Sequence, residues 1–144
     1  IKLHLTNNGI EDNSSYSRDR KPIKKFKNNL LKEIERAIRS KKAFSILKIT
    51  IEDFNKENIY KIKSTILQKI RNIDQLYILQ NKIFLFLLPL TDNEGLEVLS
   101  KKLHKFYEDY NIEKDELNFP DEDTKLEYDK EEEYLHKITE KLNF

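Results

Sequence analysis

The sequence predicts an α+β fold, one antiparallel sheet flanked by helices, and three observations predict it. Two short apolar runs, Leu76 to Leu79 and Ile83 to Leu88, stand around a polar tip at Gln80, Asn81 and Lys82, which reads as a β-hairpin. A further apolar run, FSILKITI from Phe44 to Ile51, has the length and the branched residues of a strand. Between and around these runs, apolar residues recur at helical spacing.

In chain order, Ile1 to Arg20 divides into IKLHL, which fits one strand, and NNGIEDNSSYSRDR, rich in turn formers. Residues 1–20 are therefore expected to be a connector or the end of a preceding domain. From Pro22 the residues Phe26, Leu30, Ile34 and Ile38 recur every fourth position, the pattern of an amphipathic helix with Pro22 near its first turn. The strand Phe44 to Ile51 follows. A second helix is expected to carry Ile59, Ile62, Ile66 and Ile70 and to stop near Arg71. In the hairpin, Asn81 is the residue that best tolerates a left-handed backbone. Its second run is apolar at every position, so it is expected at the centre of the sheet, covered on both faces.

Beyond Pro89, Thr91 and Glu94 have capping-box spacing. A third helix then carries Leu96, Leu99, Leu103 and Phe106. Ile112 to Phe119 reads as a more polar edge strand stopped by Pro120, and a charged segment leads into a last helix with Tyr134, Leu135, Ile138 and Leu142 on one side. The acidic run there reads as a solvated loop and helix start. From Phe44 the order is β, α, β, β, α, β, which two crossovers and a hairpin close into a ferredoxin-like sheet.

Composition narrows the function classes. The 144 residues include 27 Lys and Arg against 26 Asp and Glu, a net charge of +1, so no field for binding nucleic acid is implied. Cysteine is absent, which excludes disulfides and thiolate metal sites and fits a reducing compartment. No apolar run is long enough to span a membrane, so no membrane contact by this segment and a cytoplasmic location are expected. The chain starts at Ile1 and lacks methionine; it reads as a domain cut from a longer protein, with that protein's attachment to a membrane left open. No P-loop, zinc spacing or Ser/His/Asp set is present. His4, His104 and His136 are scattered and read as surface residues.

The hairpin, with LLP at its exit and a Thr-led helix after it, and FSILKITIEDFNKEN before it, resemble the GGDEF domain of diguanylate cyclases. The resemblance covers Phe26 to the C-terminus, implies that residues 21–144 form a degenerate GGDEF-like domain with a palm-type βαββαβ core, and aligns the signature with Gln80, Asn81, Lys82, Ile83 and Phe84. Only the Phe matches. The signature glycines let the backbone approach a nucleotide phosphate, and its acid is a hard ligand for Mg²⁺; Lys82 stands in place of that acid. Thr50 stands where the family has its other metal-binding Asp. Asn58 matches a guanine-contacting Asn, but the guanine loop that follows it in the family is missing, and Asn58 reads as a capping or surface residue. Glu52 and Asp53 leave opposite faces of a strand end and form no metal site. The resemblance therefore implies no cyclase activity, no metal and no cofactor.

It also implies a ligand. Arg71, Asn72, Ile73 and Asp74 match the family's RxxD inhibitory motif at the family's spacing from the signature, and Lys102 matches a position that often carries a second Arg. On this basis Arg71, Asp74 and Lys102 are candidate cyclic di-GMP ligands: a guanidinium forks onto phosphate or the guanine edge, and a carboxylate accepts from guanine. A lysine neutralises phosphate without the planar fork. The plainer alternative is that Arg71 completes a helix C-terminus and pairs with Asp74 or shapes the turn with it. Two functions follow: a catalytically inactive receptor that signals to other domains of its chain, or a nucleotide-independent module for dimerisation or protein docking.

Overall fold

The computed structural model describes residues 2–3, 21–52, 56–80, 82–121 and 124–144, the backbone alone at 2–3 and 56–58. Strand β1 (Lys2–Leu3) is followed by helix α1 (Lys21–Ser40), strand β2 (Phe44–Ile51), helix α2 (Lys56–Leu67), and the hairpin strands β3 (Gln75–Leu79) and β4 (Ile83–Leu88). Helices α3 (Asn93–Lys102) and α4 (His104–Asp109), strand β5 (Ile112–Phe119) and helix α5 (Glu131–Lys141) complete the order. Among the described residues no helix is long and apolar enough to cross a membrane.

The sheet order is β1-β3-β4-β2-β5. From β3 to β5 every neighbouring pair is antiparallel, and β1 adds a parallel strand beside β3 through Lys2 opposite Gln75 and Leu3 opposite Leu76. The expected strand at the chain's start is thus present over these two residues; Ile1 and 4–20, with His4, lie outside the described residues. Strand β4 takes the central position its unbroken apolar run predicts. Phe84, Leu85, Phe86 and Leu87 are fully buried, because β2 and β3 pair with both its edges and helices cover both its faces. Strand β5, exposed at Glu113 to Glu116, lies at an edge.

Alternation along β2 divides the core. On one face Lys48 donates to the Leu142 carbonyl at 2.7 Å and lies over the Phe144 ring, which ties the strand to the C-terminal end of α5. Tyr77, on the same face by its register through Leu85 and Lys48, meets Phe26 of α1 edge-on at 5.4 Å. Its hydroxyl accepts from Asn29 at 2.8 Å and donates to Gln75 at 2.5 Å, while burial pushes its phenol up from the ordinary value. On the opposite face Ser45 donates to the Thr91 carbonyl at 2.8 Å, fixing the start of α3 against β2.

Three details differ from the sequence expectation. Helix α2 ends at Leu67, and Ile70 and Arg71 belong to the turn that follows. The third helix is broken at Leu103, whose φ of −93° and ψ of 4° separate α3 from α4; the apolar spacing runs through the break because the core on that side is continuous. The left-handed residue described at the hairpin tip is Gln80, with φ 53°, while Asn81 lies outside the described residues.

Candidate functional site

At the end of the sheet away from the hairpin tip, three chain corners meet: the loop before β2, the turn before β3, and the exit of β4 into α3. They enclose an open cleft of about 460 Å³ whose lining includes Arg71, Asp74 and Lys102. The three residues that the RxxD resemblance implies are thus brought to one cavity. Its size is that of a small-molecule site.

Arg71 and Asp74 hold one another. The Arg71 backbone N–H donates to Asp74 Oδ2 at 2.7 Å, Nε to the same oxygen at 3.2 Å, and Nη2 to Oδ1 at 2.8 Å. The Asp74 N–H returns a bond to the Arg71 carbonyl at 3.1 Å, closing the turn. Nη2 also donates to the Pro89 carbonyl at 2.8 Å and contacts Thr91 Oγ1 closely. Thr91 gives its own proton to the Pro89 carbonyl at 3.0 Å, which leaves its lone pairs for the guanidinium. Arg71 therefore ties the turn before β3 to the exit of β4. The Nη1 group has no partner among the described residues, and the side chain is 48% exposed.

Asp74 is only 3% exposed, and both its oxygens accept from Arg71, which holds the guanidinium in position. The side-on fork of Arg71, Nε with Nη2, is spent on that carboxylate. The pairing that the plainer reading allowed is present, and of the guanidinium nitrogens Nη1 alone is left without a partner among the described residues.

The exit of β4 is built to support this clamp. Asp92, not Thr91, caps α3: its side chain accepts from the Gly95 N–H at 2.9 Å, while the Thr91 hydroxyl is buried in the clamp. A Cβ on Gly95 would stand 2.9 Å from Thr91 Cγ2, so glycine allows the helix to sit directly on that threonine. Leu90, between Pro89 and Thr91, has a left-handed φ of 53° and is 51% exposed, an arrangement that costs a bulky residue about 1 kcal/mol or more.

Lys42, Lys69, Leu90 and Val98 also line the cleft, and the sequence reading passed over them. Val98 carried a signal: it falls off the apolar stripe of Leu96, Leu99 and Leu103, and it is 52% exposed. The two lysines carried none, since exposed lysines are common along this chain.

The remaining candidates stand elsewhere. Lys82 and Thr50 lie at the hairpin end, where the Ile51 N–H donates to the Lys82 carbonyl at 2.9 Å and Thr50 pairs with Ile83. β3 and β4 separate this end from the cleft by roughly 17 Å. Phe84 is a core residue, fully buried. Asp53 and the side chain of Asn58 lie outside the described residues. Among those described, no three His, Cys, Asp or Glu side chains are grouped as metal ligands. His104 and His136 are exposed, beside Glu108 and Glu140. A scan against models of known protein families matches none of them, and a search of curated proteins finds no relative.

Proposed function

We propose that this chain is a catalytically inactive regulatory domain that receives an anionic nucleotide in the cleft, cyclic di-GMP being the ligand that the RxxD resemblance implies. The observation that carries the reading is the convergence of Arg71, Asp74 and Lys102 on one cavity, with the guanidinium held in place and one edge open. A preorganised cation of this kind binds phosphate without first losing side-chain freedom. The resemblance also supplies the βαββαβ palm as the architecture, which the antiparallel sheet and its flanking helices accommodate. Thr50 and Lys82 in the family's metal positions argue against cyclase activity: incubation with GTP and Mg²⁺ is expected to yield no cyclic di-GMP above a protein-free blank, and product above it refutes the inactive assignment.

Calorimetric titration with cyclic di-GMP tests the receptor. Binding by the unaltered protein, weakened about tenfold by Arg71→Ala, is the expected outcome, since a charge-assisted contact contributes roughly 1.5–3 kcal/mol. Absence of heat at high micromolar ligand rejects it. That result would favour the second reading, a docking or dimerisation module for other domains or proteins, for which Ile73, Leu90 and Val98, each about half exposed, are the supporting observation.

A further inference from the structure

Arg71 has little left to offer a ligand. With Nε and Nη2 engaged, the two N–H groups of Nη1 grip one phosphate and no more. The other cations of the lining belong to separate corners of the cleft. Lys69 shares the rim of Arg71, two positions before it, and Lys102 belongs to α3, whereas Lys42 stands across the cleft from Arg71 in the loop entering β2.

The sheet sets the distance between these rims. Strands β2 and β3 lie on either side of β4, so the rims are separated by two interstrand spacings, about 10 Å. Register ends the two strands level: Ser45 is opposite Leu88 and Gln75 opposite Leu87, which puts Asp74 and Ser45 in the row of Leu88. Lys42 and Arg71 lie beyond that row, Arg71 in the turn that the Asp74 N–H closes. The exposed apolar side chains of Leu90 and Val98 line the same cleft. Asp74 is paired with Arg71 and Asp92 caps α3 through one oxygen, and among the described residues neither carboxylate forms an ion pair with Lys42.

We infer that Lys42 is a second anion-binding pole, and that together with Arg71 it selects a ligand carrying two separated phosphate groups over one carrying a single phosphate, with Leu90 and Val98 under the ligand's apolar faces. This rests on the reading of the cleft as a phosphate site and adds to it the spacing of the charges recognised. An exposed ammonium acts through a screened charge, so its contribution falls with salt.

The probes are cyclic di-GMP, with two phosphates, and GMP, with one and the same base. Lys42→Ala is expected to weaken cyclic di-GMP about fivefold at low salt, to flatten the salt dependence, and to leave GMP within about twofold; Lys42→Arg restores the affinity. Lys137→Ala, an exposed lysine outside the cleft, changes neither. Unchanged cyclic di-GMP affinity in Lys42→Ala, with Arg71→Ala still weakened, overturns the second pole alone. Equal weakening of GMP also overturns it, as the mark of a general field. No binding of either probe by the unaltered protein overturns the phosphate site and the pole together.

Discussion

Asp74 shows what one residue does at two levels. As a buried carboxylate it closes the turn before β3, and as the partner of Arg71 it aims a cation at the cleft. Asp74→Ala would leave the Arg71 N–H without its acceptor, which costs about 2 kcal/mol. Arg71→Ala would leave a nearly buried carboxylate with a single backbone donor. Chemical denaturation should find both variants destabilised, and the double variant less so than their sum, because each removes the same interaction. Additive losses would contradict the clamp. The motif was legible in the sequence; the clamp around it was not, since Arg71 is also held by Pro89 and Thr91, far along the chain. Tyr77 supplies a second residue-scale test. Burial raises its phenol, so the unfolded chain loses this proton first. Stability is then full below pH of about 10 and falls as pH rises further, by up to about 1.4 kcal/mol per unit. Tyr77→Phe is expected to flatten that fall above pH of about 10, measured by denaturation midpoints, and an unchanged slope would contradict it.

Elements were read from spacing where burial is one-sided or complete. The four-residue recurrence from Phe26 to Ile38 became the buried stripe of α1, and the unbroken run at Ile83–Leu88 became the central strand. Ends were less legible. Thr91 and Glu94 have the letters of a capping box, yet Asp92 makes the cap, because the Thr91 hydroxyl is drawn into the contact with Arg71. Asp92→Ala should therefore cost about 1 kcal/mol through α3 without altering the coupling between Arg71 and Asp74. Thr91→Ala should leave the cap intact and reduce that coupling. Measured by denaturation and double-mutant cycles, the reverse assignment would show the structure's cap to be wrong. The break at Leu103 was hidden for a related reason: the apolar side chains on both sides of it face one core.

Over the whole molecule, the sheet separates two ends with different fates. The hairpin end holds the positions that the resemblance aligns with the GGDEF signature, Thr50 and Lys82 among them, paired as strand and turn residues. The opposite end holds the clamp and the cleft. Sequence comparison by resemblance marked both ends, but only the folded chain brings Lys42 and Val98 to the second, from segments with no motif of their own. The most direct test is to map amide chemical-shift changes on the ¹⁵N-labelled protein during addition of cyclic di-GMP. The account predicts saturable changes at Lys42, Lys69 to Asp74, Leu90 to Asp92 and Lys102, with the hairpin residues Gln80, Lys82 and Ile83 unmoved. Changes centred on the hairpin tip, or none at all at high micromolar ligand, would contradict it.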